Sequence, residues 1–204
     1  MSYNTPLDVT RIAITTGVTK ASATPAKALV AGFLAGAYIA FGGLVAIQTS
    51  AGLDPKVFGG LVTLVTGLTF SLGLILVIIA GADLLTGNMM YVPIAALAGR
   101  VSIAKLALNW LWVLLGNLVG SLAVAWLFVS QTGLFAKDSP DFVRLGAIAS
   151  AKAMTETHWE QFVRAMGCNW LVCLAVWIAL AATTVGGKIR KVEMRERSAQ
   201  LLGL

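Results

Sequence analysis

Charge is what this chain has least of. Only 12% of its 204 residues are Asp, Glu, Lys or Arg, against roughly 25% in an ordinary soluble domain. Apolar residues make up 58%, and the mean hydropathy is +0.85. That scarcity excludes a water-soluble globule and points to a lipid bilayer. Histidine occurs once, at His158, which rules out bis-histidine haem ligation within one chain. The two cysteines, Cys168 and Cys173, stand five apart, about 140° around a helix, so they neither share a face nor match a metal-ligand pattern. They read as ordinary buried small residues. No Ser/His/Asp grouping, metal-ligand cluster or phosphate-cradling glycine loop stands at workable spacing, so the expectation is no enzyme, no catalytic residue, no metal and no cofactor.

What is present is a set of long uncharged runs. Four stretches are apolar and free of Asp, Glu, Lys and Arg: residues 28–51, 57–82, 106–129 and 165–187. Each exceeds the roughly 20 residues that a helix needs to cross about 30 Å of hydrocarbon. The expected fold is therefore all-α and integral to the membrane, one domain over residues 1–204, with 1–27 as an N-terminal segment and 188–204 as a charged tail. The first 27 residues carry Arg11, Lys20 and Lys27 and no apolar core with a cleavage site, so they do not read as a signal peptide.

The net charge of +6 lies between and beyond the runs rather than along one stripe, which argues against a nucleic-acid partner. It reports orientation. With the N-terminus inside, the inner segments receive ten Lys and Arg residues and the outer ones five, the outer ones also holding Asp138, Asp141, Glu156 and Glu160. Both ends are expected in the cytoplasm.

The second run ends at Asp83, yet apolar character resumes from Met89 to Ala98. Ten residues cannot cross a bilayer. Two readings fit the pattern. Met89–Ala98 is a half-helix and Asp83–Asn88 is non-helical backbone at membrane depth, allowed only where protein or a polar cavity satisfies it; or Asp83–Asn88 is a surface turn followed by a surface helix.

The stretch AGADLLTGN (80–88) resembles the signature of the formate/nitrite transporter family. GLTFSLGLIL (67–76), NWLWVLLGNLVGSL (109–122) and GCNWLVCLAVW (167–177) agree in order and spacing, and the resemblance covers roughly residues 15–187. It implies an aquaporin-like helical bundle with a broken second helix, assembled as a homopentamer in a bacterial inner membrane, with a pore for small monovalent anions in each protomer. It also implies that residues 83–88 form the loop at the pore constriction.

Carried over to this sequence, Thr86 presents a hydroxyl to the anion, and the backbone N–H groups around Gly87 and Asn88 replace hydration at the head of a half-helix. Phe70, Leu74 and Leu84 match the apolar slits, although Phe70 and Leu74, at i and i+4, read equally as core packing by spacing alone. Lys20 and Lys152 match cations at the two vestibules, on opposite sides of the membrane. Asp83 is expected to tie down the loop rather than touch the anion. Asn109 and Asn117 are expected to bond between helices, and the G-x-x-x-G pairs Gly32/Gly36 and Gly116/Gly120 to allow close approach within or between protomers.

Family members continue past the position of Gly187 with a second broken helix, bearing a central histidine, and a last span. Here residues 186–204 read GGKIRKVEMRERSAQLLGL, five basic and two acidic residues without a span, and His158 aligns with a loop. The expectation is an incomplete second repeat, from truncation, a frame shift or engineering. The functions to weigh are passive or proton-coupled transport of formate or nitrite, a channel for hydrosulfide or another weak-acid anion, and a non-transporting remnant.

Overall fold

A computed structural model describes residues 3–201. Among the described residues nine α-helices follow one another: α1 Pro6–Ala21, α2 Pro25–Ala51, α3 Pro55–Phe58, α4 Gly60–Ala80, α5 Leu85–Leu97, α6 Ile103–Val124, α7 Pro140–Ser150, α8 His158–Leu180 and α9 Val185–Leu201. A π-helical turn, Ala125–Ser130, prolongs α6, and another, Ala151–Thr155, follows α7. Four helical stretches are long and apolar enough to cross a membrane: Pro25–Ala51, Gly60–Ala80, Ile103–Ser130 and His158–Leu180.

Helix starts follow local chemistry. Thr5, Thr24, Ser102, Ser139 and Thr157 each accept a hydrogen bond from a first-turn N–H, and three of them precede a proline, whose missing N–H costs nothing there. At the exposed start of α1 the Thr5 hydroxyl also donates to the Asp8 carboxylate at 2.5 Å, which holds that carboxyl below its usual range. Thr157 and Glu160 form a reciprocal capping box. That box corrects the fourth span. Counting uncharged residues placed it at 165–187, but the helix begins at His158, seven residues earlier, because Glu160 and Arg164 occupy its exposed outer turns.

α2 is the central post, packed between α4 and α6. Its Gly32 and Gly36 face Gly116 and Gly120 of α6. A Cβ on Gly36 would stand 2.1 Å from the Asn117 carbonyl oxygen, and one on Gly120 would stand 2.0 Å from that of Phe33. Both small-residue motifs therefore serve one contact inside the protomer. The N-terminal segment is no free arm: α1 lies against α5, and Asn4 donates through its backbone and side chain to Ala181 and Leu180 at the end of α8.

The charged tail is helical. Residues 185–201 fold as α9 and run back along α4 and α8. Val192 packs with Leu74 and Ala175, and near the far end Gln200 and Arg197 meet Gly67. The described end of α9 therefore lies about 20 Å along α4 from the end of α4 that leads into α5. Apolar Val192, on a helix otherwise rich in charge, is what docks.

Candidate functional site

The chain breaks between α4 and α5, and the N–H groups of Gly81, Ala82, Asp83 and Leu85 all find acceptors. Gly81, at φ 76°, takes the left-handed conformation that ends α4, and the Gly81 and Ala82 N–H groups both donate to Val77. The Asp83 N–H donates to the Ala31 carbonyl at 3.1 Å. Asn117 then acts as a three-point clamp. Its Nδ2 donates to the carbonyls of Gly32 (2.8 Å) and Asp83 (2.9 Å), and its Oδ1 accepts from the Leu85 N–H (2.9 Å). Asn109 repeats the device beside it, donating to the Lys20 carbonyl and accepting from Asn88 Nδ2. Both asparagines thus bond between helices as their positions on α6 implied. The break is non-helical backbone enclosed by protein, so the surface-turn reading falls.

Its extent differs from expectation. The half-helix was placed at Met89–Ala98; α5 starts at Leu85, so only residues 81–84 are non-helical and Thr86, Gly87 and Asn88 form the first turn. The apolar count missed this because Thr, Gly and Asn interrupt hydropathy without interrupting a helix that Asn117 caps from outside. The consequence is chemical. Of the first four N–H groups, Leu85 is taken by Asn117 and Asn88 by the Leu84 carbonyl. Those of Thr86 and Gly87 have no intrahelical acceptor, at the positive end of the helix dipole. The Thr86 Oγ1 is buried without a hydrogen-bond partner. From α8, Cys173 Sγ lies 3.3 Å from the Thr86 carbonyl and donates to it, so this cysteine, expected to be inert packing, touches the site.

Above the break opens a cavity of about 440 Å³. Leu74, Leu84, Gly87, Asn88, Tyr91 and Val176 line it together with Thr15, Thr16 and Thr19 of α1, while Thr86 lies buried beside the lining residue Gly87 and is not itself among them. Leu74 and Leu84 pack in one cluster with Ala175 and Val192. Phe70 is not among the lining residues; its ring edge lies 4.0 Å from where a Cβ on Gly43 of α2 would stand.

Lys20 and Asp83 are ion-paired at the cavity wall, their side chains only 17% and 11% exposed. Asp83 thus holds the break through its backbone and carboxylate together. Lys152 is exposed in the π-helical turn before α8, while Val176 and Leu180 near the other end of α8 line the cavity. The two lysines are therefore separated by about 27 Å of helix. His158, first residue of α8, is exposed at the Lys152 end. Spacing did not single out the α1 threonines, Lys27, Lys188 or Tyr91; the period of Thr15, Thr16, Thr19 and Lys20 along one helix face was the available signal.

A family model described as formate/nitrite transporter matches residues 8–192. The chain belongs to the formate/nitrite transporter family. Members of this family are transporters and channels, not enzymes. A probable formate transporter of Methanothermobacter thermautotrophicus is 42% identical over 201 residues, covering 92% of this chain and 73% of that protein. A solved structure described as an FNT family ion channel superposes with a TM-score of 0.87 at 30% identity, covering 97% of this chain and 77% of its own. A pentameric formate channel with formate bound gives 0.76 at 28% identity, over 88% and 69%. The formate/nitrite transporter match and the four apolar helices make this an integral membrane protein.

Proposed function

We propose that the chain carries small monovalent anions, formate or nitrite, across a bacterial inner membrane, each protomer of a homopentamer holding its own path. The observation that carries this is the buried, unpartnered Thr86 hydroxyl beside the unengaged N–H groups of Thr86 and Gly87. Three donors at a helix N-terminus match an anion that must shed water to pass. Leu74 and Leu84, which line the cavity and pack in one cluster, serve as its apolar gate, favouring a small, partly dehydrated or neutralised species. Phe70 stiffens the α2–α4 contact behind that gate. The names of the relatives and the bound formate of the pentameric neighbour support the same substrate class. We place the cavity mouth, lined by Lys20, Lys27 and Lys188, at the cytoplasmic face, and Lys152 at the opposite mouth.

The test is formate and nitrite flux into liposomes containing the purified 204-residue chain. Saturable, anion-selective flux is expected, and Thr86→Val is expected to lower it at least tenfold, since one lost hydrogen bond to a charged group is worth roughly 1.5–3 kcal/mol, while the pentamer and its melting temperature stay unchanged. No flux from folded, inserted protein, or full flux in the Thr86→Val variant, overturns the reading.

A further inference from the structure

Three lysines and one aspartate line the cavity: Lys20, Lys27, Lys188 and Asp83. Lys20, the residue that resemblance singles out as the mouth cation, is not free to act as one. Its ammonium is paired with the Asp83 carboxylate in a spot largely withdrawn from water. Seen by an approaching anion, that pair is a small dipole, and the attraction of the ammonium is offset by the carboxylate beside it. The positive charge left over belongs to Lys27, exposed on the first turn of α2, and Lys188, half-buried on the first turn of α9. Neither side chain appears in an ion pair or hydrogen bond among the described residues.

We propose that Lys27 and Lys188, rather than Lys20, form the anion-concentrating pair at this mouth, with Lys20 acting as a positioning residue that holds the break through Asp83. The proposal rests on the transport reading above and deepens it. The two lysines come from different helices and border the same opening, so an anion between them meets both fields in a cleft with apolar walls, which focus the potential. The same cavity is lined by Thr15, Thr16 and Thr19 of α1 and by Gly87, which follows Thr86 in the first turn of α5. The Debye length is about 8–10 Å at physiological salt, so the pair acts on ions already in the mouth and its effect fades as salt rises.

The experiment compares the parent chain with Lys27→Gln/Lys188→Gln, Lys27→Arg/Lys188→Arg and Lys20→Met, all in liposomes at low and high ionic strength. The glutamine pair is expected to slow formate entry about fivefold at low salt, converging on the parent at about 0.5 M. The arginine pair is expected to keep parental rates, and Lys20→Met to lose flux at every salt concentration. Broadening of the [13C]formate resonance by detergent-purified protein supplies a readout that needs no transport: the parent broadens the line and the glutamine pair does not. Parental rates and salt dependence in the glutamine pair, or equal line broadening by parent and glutamine pair, overturn the proposal while leaving transport intact. A parent that broadens the line through these lysines but carries no flux sustains the mouth and overturns the transport reading.

Discussion

Two regions place polar groups inside the apolar bundle, and they do so on opposite terms. At residues 81–85 the backbone leaves the helix, yet Val77, Ala31 and Asn117 meet its groups one by one. In α9 the backbone is regular and the side chains are at odds with their surroundings. Glu196 is 6% exposed, and the Arg195 Nε is buried without a partner although its Nη2 reaches the Leu171 carbonyl. Irregular backbone at membrane depth is inexpensive when partners are built for it, whereas a regular helix is costly there if it carries charge. The unpaired groups left at the break are those the transport proposal assigns to the anion. Those left in α9 have no such employment.

The comparison breaks hardest at Asn117. Asn117→Leu strands the Asp83 carbonyl and the Leu85 N–H, each at roughly 1–3 kcal/mol, so a loss of about 4 kcal/mol is expected. Unfolding in detergent should show it, together with abolished flux. A variant that melts like the parent would mean that the clamp is incidental. The next effect is the Lys20–Asp83 pair. Removing one partner from so enclosed a pair is expected to cost about 3 kcal/mol, and removing both less than either alone. A double-mutant cycle over Asp83→Asn and Lys20→Met measures that coupling, and additive losses would contradict it.

Much of this was readable beforehand, for reasons that differ by element. The spans follow from uncharged length alone, and Gly32, Gly36, Gly116 and Gly120 mark close approach, because small residues at helical spacing have few other uses in lipid; that the two pairs meet each other within one protomer was not readable. Asp83 and Asn117 were readable as structural because a polar group at depth needs a partner. The start of α5 was not, since the residue that caps it, Asn117, lies 32 positions away. Nor was the start of α8, where charge belongs to the outer turns of a spanning helix and not to a loop. The division of labour among the lysines was invisible for the same reason: nothing local to Lys20 announces that Asp83 has claimed it. α9 had no periodic pattern to read, and its place is set by Val192 finding Leu74 and Ala175.

A smaller effect sharpens the packing side of the comparison. Gly120→Ala puts a methyl into the Phe33 carbonyl, and the shift needed between α2 and α6 is expected to cost about 2 kcal/mol. Gly146 on α7 has no heavy atom within 4 Å of an added Cβ, so Gly146→Ala should be neutral or slightly stabilising. Equal melting of the two variants would contradict the reading that α2 and α6 approach closely at Gly120 while Gly146 stands in open space.

The smallest expected change has the opposite sign. Glu196→Gln removes a buried carboxylate for which no hydrogen bond or ion pair is seen among the described residues, and keeps its shape, so the relief of desolvation outweighs the lost attraction to the neighbouring Arg195 charge. The docking of α9 should tighten by about 1 kcal/mol, read as slower proteolysis after Arg195 and Arg197 and a higher melting temperature at neutral pH. Asn117→Leu loosens the break and Glu196→Gln steadies α9 because one region is matched to its surroundings and the other is not. A destabilised Glu196→Gln variant would show that this carboxylate is held by a contact as specific as those of the break, and the contrast between the two regions would collapse.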